Sequence, residues 1–342
     1  MRRKVAWTVG ALALALAAPM AAALALSGAT RAEPAPAARA RRVAEPPARA
    51  PDPAFGAWWH DGKAELDGYR YAVTRYGQLR RGRCVAVYVT EPFSPVKRVK
   101  VDDPSKNPRD VLDVLKLNLV RDFQTGIYDY STMTSLFVRS EDFEPVKVSF
   151  LSTEWCGNVY EELLLDPGRV GQKLSSYFEG ESAMREDRRP KGGLLEEELF
   201  VRLRGLNGDY LAAGESRTVP MLLSAFRRRL THQPLRCTEA RIERLAAPRS
   251  VLVPAGRFKA IVYSVKIANG AEGVFLVEAA YPHRIIRWEW KQAPGSGAAR
   301  EGAWGSDSDD SGELAGSARL SYWKLHGEGE ERYLARLGLR PR

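Results

Sequence analysis

Residues 154–161, with the sequence EWCGNVYE, place a carboxylate, a thiol, an amide and a phenol within one short stretch. Gly157 permits a bend, so these side chains could line a pocket in which Cys156 acts as a nucleophile or Trp155 as a platform for a ligand. A strand with a bulge at Gly157, whose tryptophan and cysteine pack in the core, is the alternative interpretation. The candidate pocket residues in this stretch are Glu154, Trp155, Cys156, Asn158 and Tyr160.

A cysteine nucleophile requires a general base, and histidine is the usual one. The chain has four histidines, none paired with another at the spacing of metal ligands. His60, between Trp59 and Asp61, joins the candidate pocket because folding could bring it close to Cys156, and His232 is the other histidine for which this holds. No metal or cofactor motif is present, so the sequence predicts neither and favours a non-catalytic protein over an enzyme.

The three cysteines, Cys84, Cys156 and Cys237, show no Cys-x-x-Cys spacing. In an oxidising compartment they allow one disulfide with one remaining thiol, or three buried thiols. Sequence alone does not choose the pair. We predict Cys156 with Cys237, because both follow strand-like segments in the central part of the chain.

Three charged runs invite a functional interpretation. The acidic run 307–313 resembles a calcium loop at its first positions, but Ala318 stands where the bidentate glutamate belongs, so we interpret it as a solvated linker. We interpret the glutamates at 196–198 as the exposed face of a helix. The arginines at 227–229 could meet anionic lipid headgroups, although a solvated basic edge is the preferred interpretation.

The N-terminus has the pattern of an export signal. Residues 1–4 are basic, and residues 5–30 contain no charged side chain and are rich in alanine and leucine. This pattern predicts a signal peptide over residues 1–32. The alternative is an uncleaved anchor in the inner membrane formed by residues 5–30. In both cases the rest of the chain is exported, to the periplasm or beyond.

Residues 33–53 consist mainly of proline, alanine and arginine and predict a disordered linker. A globular body follows over residues 54–342, as one unit or as two sub-sheets at 54–235 and 236–342. A flexible loop is expected at 293–317. Most of the net charge of +10 lies before residue 51, so the body lacks the basic excess of a nucleic-acid-binding protein.

Apolar and polar residues alternate through the body, as half-buried strands require. The pattern is clear around residues 85–90, 115–123, 146–150 and 285–291. Asn269-Gly270, between strands at about 258–267 and 274–279, predicts a hairpin. Helical periodicity is confined to residues 194–203, with weaker candidates at 220–230 and 330–337. The predicted fold class is therefore mainly β with minor α: large curved antiparallel sheet or sheets, half-barrel-like, with a few short helices.

Two sets of segments resemble known families. WHDGKAE at 59–65, VLKLN at 114–118, FQTGIYDYS at 123–131 and EWCGNVY at 154–160 resemble an uncharacterised family of secreted and envelope proteins of bacteria. VPAGRF at 253–258 and YPHRIIRW at 281–288 are similar to periplasmic β-sheet domains of unknown function, whose curved sheet is akin to the lipoprotein-carrier half-barrels. These resemblances imply location and fold class and supply no catalytic residue.

The sequence thus predicts an exported, non-catalytic envelope protein. The concave face of its sheet packs a helix or holds an apolar ligand such as a lipid, in a carrier or a sensor. One alternative is a structural or assembly factor that binds another envelope protein. The other is a hydrolase-like enzyme centred on residues 154–161. No nucleic acid is expected as a partner, and the membrane only through an uncleaved N-terminal segment.

Overall fold

The computed structural model describes residues 53–292 and 309–341. The predicted signal peptide or anchor, nearly all of the predicted linker, and residues 293–308 of the predicted loop lie outside this range. Within it, the alternating segments form strands β1 to β17. These are β1 (Ala64–Arg75), β2 (Gln78–Ser94), β3 (Val99–Lys100), β4 (Leu112–Thr125), β5 (Tyr128–Arg139), β6 (Pro145–Glu154), β7 (Gly157–Asp166), β8 (Arg169–Ser176), β9 (Ala183–Arg188), β10 (Leu194–Leu195), β11 (Ser216–Leu222), β12 (Cys237–Arg244), β13 (Arg249–Val253), β14 (Gly256–Ile267), β15 (Ala271–Glu278), β16 (Ile285–Gln292) and β17 (Asp310–Leu320).

Helices are few and short in the described residues. The α-helices are α1 (Pro53–Trp59), α2 (Leu199–Arg202) and α3 (Ala225–Leu230). The 3-10 helices are Pro104–Lys106, Pro108–Asp110, Glu196–Glu198, Tyr322–Lys324 and Glu330–Leu337. None of the helices in the described ranges is long and apolar enough to span a membrane.

The strands form one open sheet with the order β9-β8-β7-β6-β5-β4-β2-β1-β17-β16-β15-β14-β12-β11-β10. In addition, β13 pairs with β14, and the short β3 pairs with the end of β2. Every pairing is antiparallel except that of β10 with β11. The hairpin predicted at Asn269-Gly270 joins β14 to β15. The predicted mainly β class with a large antiparallel sheet and short helices is confirmed. The predicted boundary at residues 235 and 236 falls between β11 and β12, which pair with each other.

The sheet curls around the segment that runs from β10 to α3, which we call the inner segment. Phe200 of α2 places its ring 5.1 Å from Trp288 of β16 and 5.5 Å from Phe275 of β15. Its carbonyl accepts a hydrogen bond of 3.1 Å from the Tyr88 hydroxyl of β2. Arg228 of α3 binds Glu161 of β7 at 2.7 Å. Because these strands are far apart in the sheet order, one segment can contact them all only inside a curved sheet, whose concave face therefore packs helices.

The prediction of a helix over residues 194–203 is wrong for the first half of that range. Leu194 and Leu195 form β10, a 3-10 helix covers Glu196–Glu198, and only α2 is α-helical. The run of apolar residues there suits a buried strand as well as a helix, because local periodicity does not separate the two in short segments. In the weaker candidate at 220–230, residues up to Leu222 belong to β11, and α3 begins after Ser224, whose hydroxyl accepts from the Arg227 amide. The candidate at 330–337 is a 3-10 helix.

The predicted loop at 293–317 is too long at its C-terminal end, because Asp310–Leu320 form β17. The glycines that made this part look like a linker are required by close packing. A Cβ at Gly312 would lie 2.1 Å from the Trp288 ring, and one at Gly316 would lie 2.4 Å from the Arg336 carbonyl oxygen. The acidic run therefore ends inside the sheet, where Asp310 is buried and accepts from the Trp288 indole at 3.1 Å.

The middle of strand β2 is buried on both faces. Cys84, Ala86 and Tyr88 belong to the main core, while Val87 and Val89 lie in a second apolar cluster that includes Leu337. The 3-10 helix Glu330–Leu337 therefore covers the outer face of the sheet at this point.

Candidate functional site

The candidate pocket residues of the 154–161 stretch lie on the β6–β7 hairpin. Trp155 and Cys156 form its turn, and the Trp155 side chain is 71% exposed. Asn158 and Tyr160 are exposed on β7, while Val159 and Glu161, which alternate with them, are buried. The β6–β7 register has no shift at Gly157, so the predicted bulge is absent there. These side chains form a protruding turn and part of the outer face rather than an enclosed pocket or a core.

His60 is not brought to this hairpin. Its Nε2 atom lies 2.9 Å from Oδ2 of Asp113, which is the second residue of β4. The β6–β7 turn lies at the other end of the sheet, where β4 ends and β5 begins. The 14 residues of β4 separate these two ends by about 45 Å at 3.3 Å per residue. His232 binds Glu181 at 2.6 Å. The structure therefore does not assemble a Cys156–His60 pair.

All three cysteines are free thiols in the structure, so the predicted Cys156–Cys237 disulfide is not formed in it. Cys84 is buried, and its burial raises the pKa of the thiol to about 12. Cys156 and Cys237 are exposed. Within the described ranges, no group of three or more histidine, cysteine or acidic side chains is placed to hold a metal ion.

The glutamate and arginine runs that were interpreted as solvated are buried. Glu196 binds the Arg227 guanidinium at 2.7 Å, and both side chains are almost fully buried. Burial opposes ionisation of Glu196, but the Arg227 charge prevails and lowers its pKa. Glu197 has the opposite response, because burial and the neighbouring Glu196 raise its pKa to about 7.

The arginines at 227–229 are also buried against side chains of opposite charge. Arg228 donates to Glu161, and Arg229 donates to Glu181 at 3.0 Å. Charged side chains are rarely buried without partners. The burial of these runs could not be predicted from the sequence, because their partners lie in other elements. The interpretation of residues 227–229 as a lipid-facing or solvated edge is wrong.

A cavity of about 20 Å³ lies inside the curved sheet, next to Arg121, Glu197 and Asp310. A water molecule needs about 10–15 Å³ by this measure, so the cavity has room for about one water. Phe200, Phe226 and Trp290 also line it. These side chains come from the inner segment as well as from the sheet. Because the space between them holds about one water, an acyl chain does not fit in this cavity.

A larger concavity lies on the opposite face of the sheet. It has a volume of about 490 Å³ and is lined by residues of β13 to β16, which we call the outer groove. Its walls are Arg249, Ser250, Val251, Leu252, Val262, Val274, Leu276, Arg287 and Glu289. Val274 and Leu276 alternate with the core residues Phe275 and Val277, which places the groove on the outer face.

The outer groove was missed by the sequence analysis, although the sequence carries a signal for it. Residues 274–277 are four consecutive apolar side chains, Val-Phe-Leu-Val. Such a run indicates a strand with apolar side chains on both faces. Leu252, which is 68% exposed, completes the apolar wall from β13. The groove volume falls in the range of about 300–1,000 Å³ that is typical of small-molecule sites.

The fold and the outer groove define a curved, open antiparallel-sheet protein with an internal helical segment. No family model matches the chain, and no curated protein matches it. One similar solved structure is a beta-barrel-like protein of the domain of unknown function DUF1849 from Brucella abortus. It shares 12% identity with a TM-score of 0.38, over 75% of this chain and 98% of that chain.

A second similar structure comes from Bacteroides fragilis, has a YmcC-like fold and bears a name that proposes export. It shares 11% identity with a TM-score of 0.19, over 74% of this chain and 95% of that chain. The fold class given above rests on the strand pairing of this chain itself.

Proposed function

We propose that this chain is an exported, non-catalytic protein of the cell envelope that binds an apolar ligand in the outer groove. The single observation behind this proposal is the groove of about 490 Å³ walled by Leu252, Val262, Val274 and Leu276. Apolar concavities of this size with a few polar groups at the margin are the usual sites for small ligands.

The proposal moves the ligand from the concave face, where the sequence placed it, to the outer face. The concave face is occupied by the segment from β10 to α3, and buried ion pairs such as Arg228–Glu161 and Arg204–Glu65 hold that segment to the sheet. A ligand in the interior would have to displace these paired charges, which is costly in a medium of low dielectric constant. The outer groove requires no such rearrangement.

Export is supported by the sequence of residues 1–32, with its basic start and long uncharged stretch. A non-catalytic role is supported by the position of the candidate nucleophile. Cys156 lies on an exposed turn, and the base considered for it, His60, lies at the other end of the sheet.

An assembly factor is the second candidate function, because one patch of the outer face favours it. Met133, Leu151 and Tyr160 are neighbours across β5, β6 and β7, and all three are partly exposed. Contiguous exposed apolar side chains often mark contacts between proteins. A crosslinking side chain placed at Leu151 would trap the same envelope protein repeatedly if this role holds, and one placed at Val96 serves as the control.

The ligand proposal is tested with a neutral apolar dye, N-phenyl-1-naphthylamine, and the purified chain. We expect the dye to become fluorescent on binding and Leu252→Asp to abolish the signal, because a carboxylate would then stand in the apolar wall. Leu79→Asp is the matched control, since Leu79 is 61% exposed on β2 and outside the groove. Equal binding by all three proteins, or none by the wild type, would contradict the proposal.

A further inference from the structure

The hairpin of β13 and β14, which walls one side of the outer groove, is basic. Residues 245–270 include Arg249, Arg257, Lys259 and Lys266 but no aspartate or glutamate. Lys266 pairs with Glu272 at 3.3 Å. The other three cations are exposed, and none forms an ion pair within the described parts of the chain.

These three cations belong to the hairpin that forms one wall of the groove. Arg249 itself lines the groove. In the β13–β14 register, Lys259 is opposite Ser250 and Arg257 is opposite Leu252, and both Ser250 and Leu252 are groove residues. Arg257 also donates to the Ser250 hydroxyl at 3.5 Å, so it reaches along the hairpin. One wall of the groove therefore joins an apolar surface to an uncompensated positive charge.

The other wall is electrically balanced. Arg287 lies 3.5 Å from Glu289 and 3.4 Å from Glu313, and Lys291 lies 2.9 Å from Glu289. Exposed charges in such a network largely satisfy one another. The positive excess is thus confined to the β13–β14 hairpin, so it lies on one wall of the groove.

We propose that the ligand of the outer groove is a single-chain anionic amphiphile, such as a fatty acid. Its chain lies over Leu252, Val274 and Leu276, and its carboxylate contacts Arg249. Arg257 and Lys259, on the same hairpin, add to the positive field around Arg249. This inference rests on the proposed function, because it assigns a ligand class to the same groove.

The shape of the site favours one bound chain over a lipid surface. The groove is a concavity, and its apolar residues lie within its walls, whereas attachment to a bilayer uses protruding apolar side chains that enter the interface. A guanidinium matches a carboxylate by a charge-assisted hydrogen bond. Arg249 is exposed and has no ion-pair partner among residues 53–292 and 309–341, so it can make that bond without breaking one seen there.

The test compares three probes that share a twelve-carbon chain: laurate, dodecanol and dodecyltrimethylammonium, each below its micelle concentration. Calorimetric titration of the purified chain at low salt should give the tightest binding for laurate and the weakest for the cation. Arg249→Gln should weaken laurate about fivefold, the size expected for one exposed charge contact, and leave dodecanol unchanged. Added salt should weaken laurate but not dodecanol.

Arg81→Gln is the matched control, because Arg81 is exposed on β2 and does not line the groove. Equal affinity for the three probes would overturn the anionic ligand but leave the proposed function standing, provided that Leu252→Asp abolishes all binding. Failure of every probe would overturn both. Binding to anionic vesicles without binding to free laurate, or dimerisation that Leu252→Asp abolishes, would also overturn the single-chain ligand.

Discussion

Buried arginines of the inner segment form ion pairs with side chains of the sheet. Arg228 and Glu161 are both almost fully buried and lie 2.7 Å apart, and Gln172 donates to the same Glu161 oxygen at 2.5 Å. Arg228 also donates from Nε to the Leu223 carbonyl at 3.0 Å. Because a buried charge is stable only with its partners, we expect each pair to act as a unit.

Glu161→Gln should therefore lower the free energy of unfolding by about 3 kcal/mol, since it leaves Arg228 buried without a counter-charge. Urea denaturation followed by circular dichroism measures this change. Glu186→Gln is the control, because the Arg169–Glu186 pair is exposed on both sides and should contribute less than about 1 kcal/mol. The double replacement Glu161→Leu with Arg228→Met should restore part of the loss. Equal effects of the two single variants would count against the buried pair.

The raised pKa of Asp67 should make the stability of the fold depend on pH. Its carboxyl is buried next to Glu65, and burial together with the Glu65 charge raises its pKa to about 8. Since the pKa in the folded protein lies above the ordinary value of 3.8, the folded state binds this proton more tightly than the unfolded chain. The contribution of Asp67 to stability is therefore full at low pH and is lost as the pH rises from about 4 to about 8.

Asp67→Asn should remove this loss. Relative to the wild type, the variant should gain about 4 kcal/mol between pH 5 and pH 8, because each pH unit between the two pKa values corresponds to about 1.4 kcal/mol. Denaturation at the two pH values measures the difference. Asp102→Asn, at an exposed carboxylate, should show no such gain, and an identical pH profile for Asp67→Asn and the wild type would refute the assignment.

At the scale of elements, β17 shows how close packing overrides composition. Its small residues, among them Gly312 and Gly316, are poor strand formers, yet the strand pairs with β1 over nearly its whole length. Gly312 lies under the Trp288 ring, and Gly316 lies against the backbone of the C-terminal 3-10 helix. Sequence patterning could not show this, because the requirement for glycine comes from Trp288 and from residues 336–338, in other elements.

Gly312→Ala should destabilise the protein by about 2 kcal/mol, within the range for overpacking a core, because its Cβ would lie 2.1 Å from the Trp288 ring. Thermal unfolding and the near-ultraviolet circular dichroism of the tryptophans would both report the change. Gly171→Ala in β8 is the control, since the nearest atom to its Cβ would be 4.0 Å away. Equal melting temperatures for the two variants would show that Trp288 moves aside without cost.

At the scale of the whole molecule, the sheet keeps the candidate functional features apart, at its two ends and on its two faces. The β6–β7 turn and the His60–Asp113 pair lie at opposite ends. The inner segment and the outer groove lie on opposite faces. A ligand could therefore enter the groove without disturbing the ion pairs inside the curved sheet.

The location of the whole chain is tested by fractionation. We expect the full chain to reach the periplasm or the medium, and a chain lacking residues 1–32 to stay inside the cell, because the basic start and the uncharged stretch carry the export information. A sodium carbonate wash separates a cleaved, released protein from one anchored by residues 5–30. Cytoplasmic recovery of the full chain would refute export.

The sequence by itself determined the class of fold. Alternation with a period of two is a local property, so the strands around residues 85–90, 115–123 and 285–291 and the hairpin at Asn269-Gly270 could be predicted from neighbouring residues alone. Only the tertiary structure decided which charges are buried, because Arg228 and its partner Glu161 are 67 positions apart. The outer groove was decided in the same way, since four strands must meet before their exposed apolar side chains form one concave surface.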